Sequence, residues 1–191
     1  MGNSRSRKRA ATLRQNQIRS KALSLDPTGP PPPFVADVML GRLAKWLRIA
    51  GFDVLYSNQF TDDELVAVSK GEQRILLSRD TRLLVRKSVK QFIFLESDDV
   101  LEQIGQVFSF TRTTSLPGLL TRCLACNETL NEVPRPSVRD AVPPYVFATQ
   151  SHFKSCPRCE RIYWAGTHRQ AVLRTLKTLL AATNNLPREN C

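Results

Sequence analysis

From residue 34 onward, short apolar runs alternate with segments of helical periodicity. Phe34-Val-Ala-Asp37 reads as a strand ending in an acid, and residues 39–50 read as a helix. That helix carries Leu40, Leu43, Ala44, Leu47 and Ala50 on one face, and Gly51 stands where a C′ residue stops it. Val54-Leu-Tyr56 is a second strand. Residues 62–70 form a short helix opened by Thr61 and Glu64 at capping-box spacing and closed by Gly71. Arg74-Ile-Leu-Leu-Ser78 is a third strand, followed by a helical piece from Thr81 to about Ser88. Gln91-Phe-Ile-Phe-Leu95 is a fourth strand, and Asp98–Phe108 a helix behind Ser97 as N-cap. A βαβαβαβα order predicts an α/β fold, a small parallel sheet flanked by helices on both faces.

Beyond Leu116-Pro-Gly118 the pattern breaks. Residues 119–168 have little apolar periodicity, four prolines between two cysteine pairs, and too little core to stand without a staple. A helix resumes over residues 169–182 on Leu173, Leu176, Leu179 and Leu180, and a tail follows to 191.

Charge separates the other end. Residues 1–33 carry seven Lys or Arg and one acid, Asp26, out of a net charge of +11 for the 191-residue chain. This segment closes on Asp26-Pro-Thr-Gly-Pro-Pro-Pro-Pro33, a stiff spacer that cannot be helix or central strand. It reads as a basic, disordered arm. The organisation expected is therefore arm 1–33, α/β domain 34–115, cysteine-bearing module 119–168, and C-terminal helix and tail 169–191. A hydrophobic fraction of 41% excludes a wholly disordered chain, and no apolar run is long enough for a transmembrane helix. The basic balance points to a polyanionic partner, most simply nucleic acid or an anionic membrane surface.

Cys123-Leu-Ala-Cys126 and Cys156-Pro-Arg-Cys159 stand 29 residues apart. Two knuckles of this spacing can close a tetrahedral Zn²⁺ site, which with four thiolates is structural rather than catalytic. Redox dithiols or buried free thiols are the alternatives, weakened by the pairing of two motifs in one core-poor segment. The same usage argues for a reducing, intracellular compartment, the cytoplasm first. His152 and His168 lie near the second knuckle in sequence; either could replace a thiolate, but with four cysteines available each reads first as a surface or packing histidine, and Cys191 reads as a free thiol.

The acids sit at strand ends: Asp37 after the first, Asp62 and Asp63 after the second, Asp80 after the third, Asp98 and Asp99 after the fourth. In a parallel sheet these loops share the carboxyl edge, where open α/β folds build their sites. Converging carboxylates repel unless a hard cation such as Mg²⁺ or Mn²⁺ joins them. The competing explanation is helix capping. Divalent ions near basic residues suggest phosphodiester chemistry, with Arg42, Lys45, Arg48, Arg79 and Arg82 as candidates to hold substrate phosphates.

The stretch Asp37-Val-Met-Leu-Gly-Arg-Leu-Ala-Lys-Trp-Leu-Arg48, with Asp62-Asp-Glu-Leu-Val66 and Arg74-Ile-Leu-Leu-Ser-Arg-Asp80, resembles the Mut-seven C-terminal RNase domain. So do Ser97-Asp-Asp99 with Gln103, Arg122-Cys-x-x-Cys-Asn127, and Cys156-x-x-Cys159 with Tyr163-Trp-x-Gly-x-His168. The resemblance covers about 34–170. It implies a PIN-like nuclease fold joined to a zinc ribbon, and a metal-dependent ribonuclease with Asp37, Asp62, Asp80 and Asp98 or Asp99 as metal-binding, catalytic carboxylates. Zinc ribbon and basic arm would then aid RNA binding. Ser78 stands where the family usually has Thr, and Glu160 where Gly is commoner.

A non-catalytic RNA- or ribonucleoprotein-binding module is the alternative; clustered acids give such a surface nothing. A phosphoacceptor domain of the receiver type is a third, weaker alternative: it shares the acidic edge, but no clear Lys follows a fourth or fifth strand in this chain to complete it. The arm admits three readings: an RNA-binding tail, an Arg- and Ser-rich organelle-import peptide, or a lipid-anchored terminus through Met1-Gly2-Asn-Ser-Arg-Ser6.

Overall fold

A computed structural model describes residues 29–166 and 169–184, apart from the Arg169 side chain. The expectations for residues 1–28, His168 and Cys191 lie outside the described residues.

Four parallel strands form the first sheet: β1 (Phe34–Ala36), β2 (Val54–Tyr56), β3 (Ile75–Ser78) and β4 (Phe92–Phe94), in the order β2-β1-β3-β4. Their side chains divide strictly by alternation. Phe34, Ala36, Ile75, Leu77 and Ile93 face one helical layer, whereas Val35, Leu76 and Phe92 face the other. The first layer holds α1 (Gly41–Ala50) and α4 (Val100–Phe110); the second holds α2 (Asp62–Gly71) and the single turn α3 (Thr81–Leu84). Phe52 bridges Phe34 and Phe108 with ring centroids 5.8 and 5.9 Å apart.

Local signals explain most boundaries. Gly51 ends α1 in the left-handed region at φ +99°, and the Thr61–Glu64 capping box of α2 is fully formed. Elsewhere the chain departs from the periodicity. A 3₁₀ turn, Val38–Leu40, precedes α1, and Asp37 caps that turn instead of ending β1. Helix α3 stops at Leu84 because Val89 drops into the same apolar layer as Leu83 and Leu84. On a continued helix Val89 would point about 140° away from Leu84. The N-cap of α4 is Asp99, which accepts from the N–H of Leu101 and Glu102; Ser97 sits two residues earlier and accepts from Asp99 N.

The cysteine module is an antiparallel sheet of β5 (Asn131–Val133), β6 (Phe153–Ser155) and β7 (Ile162–Trp164). Its long connection folds into a 3₁₀ turn (Arg135–Val138) and α5 (Pro144–Thr149), which enclose Val138, Val142 and Phe153. The final helix, α6 (Arg169–Asn184), packs on α4, and its Leu176 is fully buried in the α/β core. Helix α6 thus completes the first layer of the α/β body. Among the described residues, no helix is long and apolar enough to cross a membrane.

Candidate active site and metal centre

The connections from β1 and β3 leave in opposite directions, to β2 on one side and β4 on the other. A crevice opens at such a switch point, outside the carboxyl ends of the two adjacent strands. Asp37 and Asp80 flank it. Asp37 is only 4% exposed; its Oδ1 accepts from Val38 N at 2.6 Å and its Oδ2 from the Ser78 hydroxyl at 2.5 Å. Ser78 Oγ in turn accepts from Asp80 N at 2.9 Å, so one fully buried hydroxyl ties the two acidic segments together. Asp80 uses Oδ1 to accept from Arg82 N at 2.7 Å. Among the described residues Asp37 has no ion-pair partner. A carboxylate so buried is costly without a cation.

The expected convergence of acids is looser than their placement at strand ends suggests. Among the described residues no three carboxylates bring oxygens within 4.8 Å of one another. The reason is local. Asp37, Asp80 and Asp99 each turn an oxygen to backbone N–H groups of the turn or helix they open. Asp62 and Asp63 are drawn instead to Arg86, at 2.8 and 2.6 Å. Asp98 is exposed. What remains near the switch point is the Asp37–Ser78–Asp80 arrangement. An ion like Mg²⁺ keeps several waters and needs only one or two protein carboxylates.

Of the cations, Arg42, Lys45, Arg79 and Arg82 are exposed. Arg48 is a correction. It is 2% exposed, and its guanidinium donates to the carbonyls of Val54, Leu124 and Ala125, so it holds no phosphate. A sequence signal was present: Arg48 lies one turn after Ala44 and beside Leu47 on the apolar stripe of α1. Two further residues, without a motif to mark them, shape the crevice. Tyr56 donates its hydroxyl to Val38 O at 3.0 Å, bracing the turn that presents Asp37. Gly41 makes room, since a Cβ there would stand 2.6 Å from the phenol oxygen.

The four cysteines converge as their spacing predicts. All four Sγ atoms lie within 4.8 Å of one another, with separations of 3.5, 3.4 and 3.8 Å for Cys123–Cys159, Cys126–Cys156 and Cys126–Cys159. A tetrahedron with Zn–S bonds of 2.3 Å needs edges of about 3.8 Å, so the donor set fits a structural zinc. The two knuckles repeat one geometry. Cys123 N donates to Glu128 O and Cys156 N to Arg161 O, while Asn127 N and Glu160 N return to the carbonyls of Cys123 and Cys156. Asn127 (φ +70°) and Glu160 (φ +58°) both occupy the left-handed region at the equivalent position.

Around the sulfurs, Tyr163 bridges Cys123 Sγ at 3.1 Å and Leu124 N at 3.2 Å. Burial pushes the Cys123 thiol up, but the hydrogen bonds from Tyr163 and from the N–H groups of Cys126 and Ala125 outweigh it and bring it down to about 6. Burial and the neighbouring sulfurs push Cys126 up to about 12. A shared Zn²⁺ would bind its cysteine ligands as thiolates. Of the two expected nearby histidines, His152 is exposed and bonded to Ser151.

The family model for the Mut7-C RNAse domain matches residues 32–176, which take in the crevice, both knuckles and the buried Leu176. No curated protein matches the chain. No solved structure matches it either.

Proposed function

The chain belongs to the Mut7-C RNAse domain family, and on that premise we propose that it is a divalent-metal-dependent ribonuclease of PIN-like fold. Membership by itself carries an RNase-like or RNA-related function; the metal dependence and the site are our reading. The observation that carries it is Asp37, buried, without an ion-pair partner among the described residues, and joined to Asp80 through Ser78 at the switch point. A divalent ion there would activate water and stabilise charge on the leaving oxygen.

The chain's own residues do the rest. Ser78 fixes the Asp37 carboxylate, and Tyr56 braces its turn. Asp80 keeps one carboxylate oxygen clear of hydrogen bonds among the described residues. Arg42, Lys45, Arg79 and Arg82 would bind phosphates by charge-assisted hydrogen bonds. Asp62 and Asp98 would act further along the crevice, with Asp62 released from Arg86 when RNA phosphates compete for that cation. The zinc ribbon and the basic arm would add affinity for RNA. Four reduced thiols fit a reducing, intracellular compartment.

A second reading, a non-catalytic RNA- or ribonucleoprotein-binding module, is favoured by the caps: Asp37, Asp80 and Asp99 all do structural work. Cleavage of end-labelled single-stranded RNA in Mn²⁺, in Mg²⁺ and in EDTA separates the two, run on the unaltered protein and on Asp37→Asn. The nuclease reading expects cleavage only with metal and a loss of about 100-fold or more in the variant. RNA retention without cleavage under every metal condition would establish the binding module instead.

A further inference from the structure

The first knuckle is built into the α/β body. Arg48 Nη1 donates to Leu124 O at 2.9 Å and Ala125 O at 3.0 Å, the two carbonyls between Cys123 and Cys126. Its Nε and Nη2 donate to Val54 O at 3.0 and 2.8 Å. The other side of the same residue is also taken: Val54 N donates to Asn127 Oδ1 at 3.0 Å. The first residue of β2 therefore has its N–H and its C=O committed to the knuckle, one directly and one through Arg48.

Beneath them, Asp53 accepts from Asn127 Nδ2 at 2.7 Å and from Arg74 at 2.6 Å, with Arg122 at 3.6 Å, and Arg74 also donates to Phe34 O. All of this lies at the amino edge of the sheet, opposite the acidic crevice. Burial lowers the pKa of Arg48, against the pull of Cys123, Cys126 and Asp53. If the knuckle moves away, the buried guanidinium keeps Val54 O but its Nη1 loses both carbonyls, and the Val54 N–H loses its acceptor; the penalty for unmet buried groups exceeds the worth of the bonds themselves.

We propose that zinc in the ribbon is a working part of the α/β body: metal occupancy holds α1 and β2 in place, with Arg48 and Asn127 as positioning residues for the coupling. Coupling of this kind is reciprocal, so loosening the joint must weaken zinc binding by the same factor that zinc steadies the joint. The inference stands apart from the ribonuclease reading, because neither of its readouts is activity.

The experiment uses the full chain. Hydrogen exchange is followed with zinc bound and after removal by a high-affinity chelator, and zinc affinity is measured by competition against a chelating dye. Asn127→Gly keeps the left-handed backbone and deletes the side chain; Arg48→Lys keeps charge without the fork. Arg158→Ala, exposed between the cysteines of the second knuckle, is the control. Zinc removal should speed exchange at Val54–Tyr56 and along Gly41–Ala50 at least tenfold. Asn127→Gly and Arg48→Lys should weaken zinc binding about 10- to 100-fold, the usual effect of residues behind the ligands, with Arg158→Ala unchanged. Should Arg48→Lys fail to fold, Asn127→Gly decides alone. Unchanged exchange in β2 and α1 while the ribbon strands open would overturn the proposal, as would wild-type zinc affinity in Asn127→Gly.

Discussion

Asp80 separates capping from catalysis because two substitutions divide its duties. Its Oδ1 caps α3 by accepting from Arg82 N at 2.7 Å. Asn caps helices about as well as Asp, so Asp80→Asn keeps that bond to within a few tenths of a kcal/mol, whereas Asp80→Ala gives it up at about 1 kcal/mol. In a chain of this size that is about 2–4 °C in Tm. If Asp80 only caps, activity follows stability: the Ala variant is impaired and the Asn variant resembles the unaltered protein. If Asp80 holds a divalent ion, both variants lose the ion's contribution to the transition state. A deficit of about 3–4 kcal/mol corresponds to a 10²–10³-fold fall in cleavage, equal for Asn and Ala. The assay is Mn²⁺-dependent cleavage of a labelled RNA well below Tm, paired with melting curves with and without Mn²⁺. Metal at a hundred times its Kd should stabilise the unaltered protein by about 2.7 kcal/mol, and both variants by much less. Wild-type cleavage and an undiminished Mn²⁺ shift in Asp80→Asn would refute the assignment.

Three further outcomes follow from the geometry. Gly51→Ala should cost at least about 3 kcal/mol by chemical denaturation, because φ is +99° and the new Cβ would lie 2.1 Å from Gly118 O. Glu160→Gly should stabilise the ribbon by about 1 kcal/mol, since φ +58° is strained for a side chain; a change of the opposite sign in melting would show that Glu160 makes a contact worth more than the strain. Burial raises the Asp53 carboxyl, but Arg74, Asn127 and Arg122 outweigh it and hold it below the ordinary carboxylate range. A depressed acid contributes its stability above its unfolded pKa, about 4, and loses it as pH falls through the folded value. The body–ribbon joint should therefore loosen below about pH 4, and Asp53→Asn should flatten that acid limb in a pH series of melting curves.

Much of this protein was legible in the chain because it rests on short-range rules. The continuous apolar runs in Phe34–Ala36 and Ile75–Ser78, the capping box of Thr61 and Glu64, the Gly51 stop and the two Cys-x-x-Cys pairs each act within a few residues, so pattern alone pointed to the parallel sheet, its helices and the four-sulfur centre. The connection between the knuckles was not legible, as its helix Pro144–Thr149 has no periodic stripe and is held by packing around Val138, Val142 and Phe153. Nor was the α6 packing of Leu176 into the α/β core. Tertiary structure alone decided which acids meet. The order β2-β1-β3-β4 sets β1 beside β3, which joins Asp37 to Asp80 through Ser78, while Arg86 takes Asp62 and Asp63. It also decided the fate of Arg48. A cation on a helix looks like a hand for phosphate until three backbone carbonyls, two of them more than seventy residues away, are found to surround it. Periodicity reports which face of a helix is buried; it does not say what polar groups wait on the other side, because those arrive from distant parts of the chain.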